Sequence, residues 1–431
     1  MVTIIQDRED LDSAQTGSPN RRDRLAIPML VLAGGISLTG NSLTALVIPW
    51  FVYVTTGSAA RTGLVAFASL LPVVLAGMAG GLIVDRVGFK HASVVSDILS
   101  GVTVAIIPTL HLLGLLRFWQ LLILVFIGAL LDIPGSAARQ SMIPRLAARS
   151  GASLETANAG MQVASSVAMI AGPLAAGVLM SLLGATTVLY VDAASFAVSA
   201  LLIGALIPWK RSAEEGIATE PGGEGMLREA LAGVRLVIHD RFLSAVVRVA
   251  VVANFLFSAL FAVVLPVYAK EVFNDPRVLG LIIAGFGGGS LVGTLVLGAV
   301  GPRVSRVVWL LGGLVVMAAG LWILPWSSTI TLSVAGAAVL GLANGPMNTI
   351  MMVILQERVP ESLLGRVNSS LMAMISIASP IGVVIAGLVL DSVAVTLVMA
   401  AIAAVFTLVA MSALANPEFR NVSVATRVDT R

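Results

Sequence analysis

Charge is scarce in this chain. Of its 431 residues, 11% are Asp, Glu, Lys or Arg, less than half of the roughly 25% that a soluble domain carries. A water-facing surface cannot be assembled from so few charges, so most side chains must meet lipid or one another. Cysteine is absent, which excludes disulfides and thiolate metal sites. The three histidines, His91, His111 and His239, are too dispersed for a metal-ligand motif, and no metal or other cofactor is expected. No glycine-rich loop is followed by Lys-Ser or Lys-Thr, which argues against an ATP-driven pump. Nor does any nucleophile, metal set or acid–base constellation point to an enzyme. The net charge of +3 does not imply nucleic acid, because the basic residues sit in short gaps between apolar runs rather than along a stripe.

What the chain has is apolar length. Hydrophobic residues make up 58% of it, and its mean hydropathy is +0.99. Twelve runs are each long enough to span a bilayer, which takes about 20 residues. They cover 25–54, 63–84, 92–116, 118–138, 157–183, 186–209, 242–268, 279–300, 307–326, 330–355, 367–390 and 393–414. The expected fold is therefore an all-α membrane protein of twelve transmembrane helices in two six-helix halves. The stretch 210–241, with its Glu, Gly and Pro, reads as a linker between a first half at 25–209 and a second at 242–415. The polar ends, 1–24 and 416–431, read as tails. The first holds no apolar core, so the run after it is expected to act as the insertion signal.

Counting Lys and Arg in alternate gaps orients the bundle. One side collects Arg8, Arg21, Arg22, Arg24, Arg86, Lys90, Arg139, Arg145 and Arg149, then the linker's basic residues, Arg303, Arg306, Arg358, Arg366 and the C-terminal arginines. The other side receives Arg61, Arg117, Lys270 and Arg277. Both termini are expected in the cytoplasm and the chain in the inner cell membrane.

The two halves look related. Gly128-Ala-Leu-Leu-Asp-Ile-Pro134 in the first matches Gly341-Leu-Ala-Asn-Gly-Pro346 in the second. Asn158 pairs with Asn368, and Gly172-Pro173 with Ser379-Pro380. Repeated Gly and Pro at matching places mark a transporter with a central pathway, and Pro134, Gly172, Pro173, Pro346 and Pro380 are its expected helix-bend positions.

These residues carry a resemblance. Gly81-Leu-Ile-Val-Asp85-Arg86-Val-Gly88-Phe-Lys90, between the second and third runs, resembles the loop signature of the major facilitator superfamily. Asp132-Ile-Pro134, Ile143-Pro144, Asn158 and Ala171-Gly172-Pro173 resemble the branch of macrolide and siderophore exporters, the third drug:proton antiporter group. Gly365-Arg366-Val367 is similar to a second-half counterpart. Many relatives carry an acidic residue in the first helix, where this chain has Gly40-Asn41. The resemblance implies alternating access, with the proton gradient as energy source, protons and amphiphilic drug-like molecules as partners in the bilayer, and no oligomer required. It also implies that Gly81, Asp85, Arg86, Gly88, Lys90 and Arg366 form a conformational switch. A lipid or lysophospholipid transporter and a non-transporting sensor remain open alternatives.

A charge at the bilayer centre costs about 2.5 kcal/mol at the least, so each ionisable residue within a run needs a partner or a function. Asp97, Asp132, Arg139, Asp192 and Arg248 are these candidates, as proton-coupling groups or as ion pairs of a gate. Asp132 and Arg139, two turns apart on one face, are expected within reach of each other. Arg248 is expected to pair with Asp97 or Asp132, and Asp192 to lie near a helix end. Asn41, Gln162, Asn254, Asn344 and Asn348 are candidate pathway amides, although bonding between helices is the commoner use of such residues. Trp50 and Phe257, with Phe51, Tyr53, Phe255 and Phe261 near them, suit a greasy cavity wall.

Overall fold

In lipid no water pairs with a free N–H or C=O, so an apolar run must close its hydrogen bonds within itself. The computed structural model, which describes residues 21–76, 88–207, 234–235 and 237–420, places a helix in the described part of every apolar run. Among the described residues the first half comprises α1 (Arg21–Thr56), α2 (Ala59–Ala76), α3 (Phe89–Leu112), α4 (Phe118–Ser150), α5 (Leu154–Leu183) and α6 (Ala185–Leu206). The second comprises α7 (Arg241–Phe273), α8 (Pro276–Val300), α9 (Val308–Trp326), α10 (Ile330–Arg358), α11 (Leu363–Leu390) and α12 (Val395–Ala415). All but α2 are individually long and apolar enough to cross a membrane. The tails, most of the linker and the continuation of the second run beyond 76 lie outside the described residues.

Short polar residues set the helix ends. Ser153, Asp240, Asp275 and Thr329 each accept a hydrogen bond from a first-turn backbone N–H, satisfying donors that the helix cannot. Gly151 closes α4 with a left-handed φ of 71°, a conformation glycine adopts without Cβ strain.

Three elements depart from the hydropathy pattern. α4 does not stop before Arg139 but runs on to Ser150, because that arginine is buried and paired. α7 continues through Lys270 to Phe273 with two π turns, five residues past the end of its apolar run at 268. α11 is interrupted at Ile377, three residues before Pro380, which has no N–H to give the carbonyl one turn back. Pro134, Pro173 and Pro346 lie within continuous helices.

Within the first half α3 packs on α4 and α6, and α1 on α5 and α6; in the second, α8 packs on α10 and α7 on α11. The glycine-rich stretch of α8 explains one of these pairs. A Cβ at Gly285 would stand 3.1 Å from the carbonyl of Val334, and one at Gly289 or Gly293 would strike Ala338 or Leu342 on α10. Small residues every fourth position let two backbones touch. Between the halves the main contacts are α2 with α11 and α5 with α8, and α7 adds smaller ones to α1 and α2.

Candidate functional site

The polar side chains that the apolar runs contain converge in the first half. Arg139 of α4 donates to Asp97 of α3 at 2.8 Å, and the two are 3% and 0% exposed. α3 begins at Phe89, so Asp97 lies eight residues in, roughly 12 Å along the axis, deeper than the apolar run suggested. Ser199 of α6 donates to the other oxygen of Asp97 at 2.7 Å, and Arg139 reaches Ser37 of α1 at 3.4 Å. Four helices are thereby tied at one buried ion pair. Neutralising each other is what lets these charges stay in the bundle.

Asp132 sits at the edge of this network. One of its oxygens accepts from the Asn41 amide at 2.9 Å, while the other lies 3.7 Å from Arg139 and has no hydrogen-bond partner. Its side chain is 24% exposed, in contrast to the sealed Asp97. The expected approach of Asp132 to Arg139 is present, but Arg139 gives its short bond to Asp97. Asp132 is thus a carboxylate with spare acceptor capacity beside a fixed positive charge.

Asp192 is not near an exposed helix end. It is fully buried, accepting from Thr44 of α1 and, at 3.1 Å, from Ser195 of its own helix. Gly40 allows this, because a Cβ there would collide with Asp192 and Ser195. Arg248 corrects another expectation: it joins neither Asp97 nor Asp132. Both carboxylates are held inside the first half by Arg139, whereas Arg248 is exposed beside α12 of the second.

Of the expected switch, Gly81, Asp85 and Arg86 lie outside the described residues. Gly88 starts α3 with a φ of 88°, in the range that favours glycine. Lys90 donates to the Ile207 carbonyl at 2.8 Å, satisfying a group at the end of α6. Arg366 lies in the first turns of α11.

The amides divide. Asn254 of α7 donates to the Ile375 carbonyl and to Ser379 at 2.8 and 2.6 Å, bridging the interruption in α11. Gln162 and Asn348 are exposed and Asn344 half-buried. Asn344 and Asn348 share a helical face with Ser333, which bonds Tyr268 of α7. Phe257 belongs to an aromatic cluster with Phe261, Phe406 and, through Phe261, Phe286. Trp50 is buried and lines a cavity of about 560 Å³ where α1 and α5 meet the α7–α8 turn. In that turn Arg277 bonds Asp275 and holds its carboxyl below the usual range.

Among the described residues the halves are sealed at the end away from the arginines. There Asp391, in the turn after α11, accepts from the backbone N–H groups of Ala59 and Ala60 at 2.7 and 3.2 Å and from Ser58 at 3.1 Å. A carboxylate of one half thus caps the N-terminus of α2 in the other, where the helix dipole favours it. Tyr53 donates to Glu271 across the same seam at 2.6 Å. A Cβ at Gly63 would lie 3.2 Å from Gly387, and one at Gly177 3.3 Å from Gly280. From that seal α5 and α8 diverge. Met169 and Ile170 still touch Gly287, but further along the same faces Gln162 and Thr294 are exposed. The bundle opens toward the arginine-rich end.

Two six-helix halves, sealed at one end, open at the other and holding ionisable groups in their interior, define a membrane transporter rather than an enzyme. The family model of the Major Facilitator Superfamily matches residues 30–274 and 247–429, and the chain belongs to that family. It is 27% identical over 404 residues to the multidrug efflux pump Tap of Mycolicibacterium fortuitum, covering 93% of this chain and 98% of the relative. It is 22% identical to macrolide efflux protein A of Streptococcus pyogenes over 84% of this chain and 88% of that one. Among solved structures, the nucleoside transporter NupG superposes with a TM-score of 0.76 at 13% identity, over 93% of this chain and all of that one; this likeness concerns the fold.

Ser37, Thr44, Ser199 and Asp391 were not singled out from the sequence. A serine in an apolar helix gives no signal of its own until the buried charge it serves is placed.

Proposed function

We propose that this chain exports amphiphilic, drug-like molecules across the cell membrane, driven by protons and working by alternating access. The efflux pumps it resembles along most of its length support the substrate class. The lysine and arginine count places the open, arginine-rich end in the cytoplasm, so the cavity stands ready to load from inside.

The observation that carries proton coupling is Asp132. It keeps an unpartnered oxygen beside Arg139 while Asp97 occupies that arginine's short bond. Proton binding at Asp132 removes its attraction to Arg139; proton loss restores it. An approaching cationic or polar group competes with the proton for the same oxygen, which is the exchange an antiporter requires. Asn41 holds the carboxyl in place through both states. The cavity walls fit an amphiphile: Gln162, Asn344 and Asn348 offer amides, and the Phe257 cluster offers apolar surface. Gly81, Asp85, Arg86 and Gly88 of the loop, with Lys90 and Arg366, serve as the switch that locks the cytoplasmic side in the opposite state.

Accumulation of fluorescent amphiphiles in inverted membrane vesicles tests this reading. Uptake that a protonophore abolishes is the expected result. Uptake unchanged by the protonophore would sink proton coupling, and lipid movement without any amphiphile uptake would favour a lipid transporter.

A further inference from the structure

Arg248 has no role in the transport cycle proposed above, and its setting is unusual. It lies seven residues past the start of α7, about 10 Å along the helix axis, yet it is exposed and makes no ion pair with any described residue. With Ala245, Val249 and Val252 it lines one wall of a groove of about 190 Å³; Ser412 and Asn416 of α12 stand on the other. α12 packs on α7, α9 and α11, helices of its own half, so the groove is on the periphery, away from the cavity between the halves. Beside it α12 presents Val405, Leu408 and Met411, 41%, 61% and 50% exposed, an apolar stripe of the kind that faces acyl chains.

An arginine at this depth, with a guanidinium that is always charged, must bring its head to an anion or to water. Its flexible stem lets the guanidinium rise toward the membrane surface. The anion at that level is the lipid phosphate, which a guanidinium meets with two parallel N–H bonds. The Asn416 amide, whose oxygen accepts from the Glu418 N–H, has its NH2 left as a further donor on the same groove, and the groove beneath takes an acyl chain. We propose that the α7–α12 groove binds the headgroup of an anionic phospholipid of the leaflet at the arginine-rich end, with Arg248 holding its phosphate.

Native mass spectrometry of the purified full-length protein, titrated with phosphatidylglycerol or phosphatidylcholine, tests the assignment. Wild type is expected to retain phosphatidylglycerol over phosphatidylcholine by about fivefold, the worth of one basic residue near a charged surface. Arg248→Gln is expected to lose that preference and Arg248→Lys to keep most of it. Asn416→Ala is expected to weaken retention of both lipids. Because Arg248 is exposed, these variants are expected to melt with wild type in detergent, which separates lost binding from lost folding. An Arg248→Gln protein with wild-type lipid preference would overturn the proposal. So would displacement of bound phosphatidylglycerol by inorganic phosphate at equal concentration.

Discussion

The Asp97–Arg139 pair shows how differently two carboxylates on neighbouring helices behave when they compete for one arginine. Asp97 has the short bond and complete burial; Asp132 has the longer approach and a share of the cavity. Removing the charge of Asp97 leaves the guanidinium buried without its main partner. Asp97→Asn is therefore expected to destabilise the protein by about 3–5 kcal/mol, seen as a large fall in melting temperature in detergent. Replacing both partners, Asp97→Leu with Arg139→Met, is expected to restore much of that loss, since apolar pairs of similar volume replace buried ion pairs well. A double variant no more stable than Asp97→Asn would refute the assignment. Asp132→Asn is expected to melt within about 1 kcal/mol of wild type, because it removes neither a short ion pair nor a buried hydrogen bond that an amide cannot replace. The sequence made these charges visible as outliers among apolar residues, but it could not say which carboxylate Arg139 prefers. That choice depends on how α3 and α4 pack, and nothing in local spacing encodes it. Arg248 shows the reverse: its charge drew it into the same expectation although its helix face turns elsewhere.

Among the elements, the helices were readable because lipid forbids any other backbone solution for an apolar run. The misplaced ends of α4 and α7 have one cause: hydropathy treats a basic residue near the end of a run as its boundary. It cut the fourth run at Ala138, twelve residues before the helix ends at Ser150, because it cannot anticipate that Arg139 is neutralised inside the bundle. The glycine stripe of α8 predicts severe intolerance of bulk. Gly289→Leu is expected to force α8 from α10 and cost at least the roughly 1–3 kcal/mol of an overpacked core. Folded yield on size exclusion would report it, with Gly288→Leu as a control, since nothing stands within 4 Å of a Cβ there.

The cap that Asp391 places on α2 is an element-level contact that only the folded chain reveals, because its partners are over 300 residues away. Losing it costs about 1 kcal/mol, which moves a two-state equilibrium roughly fivefold. Asp391→Ala is therefore expected to favour opening of the sealed end. The cysteine-free chain makes this measurable: a cysteine at Thr62, fully buried in the first turn of α2 beside the cap, should react several times faster with an impermeant maleimide in the Asp391→Ala background. Equal rates in the two backgrounds would show that the cap does not hold the seal.

For the whole molecule, the two halves join at a seam, with the buried ion pair in the first half and an aromatic cluster in the second. Opening toward one side requires the seal at the other, and the observed state has its glycine contacts and Asp391 cap closed at the end poor in arginine. Transport then follows from exchanging which end is sealed, and coupling follows if proton binding at Asp132 changes the cost of that exchange. The measurement that bears most directly on this is a comparison of two transport modes in proteoliposomes, using one fluorescent amphiphile and an imposed pH gradient. Asp132→Asn is expected to retain exchange of labelled for unlabelled substrate at equal concentrations while losing uphill transport driven by the gradient. Gradient-driven accumulation by Asp132→Asn at the wild-type level would contradict the account and move the coupling site elsewhere.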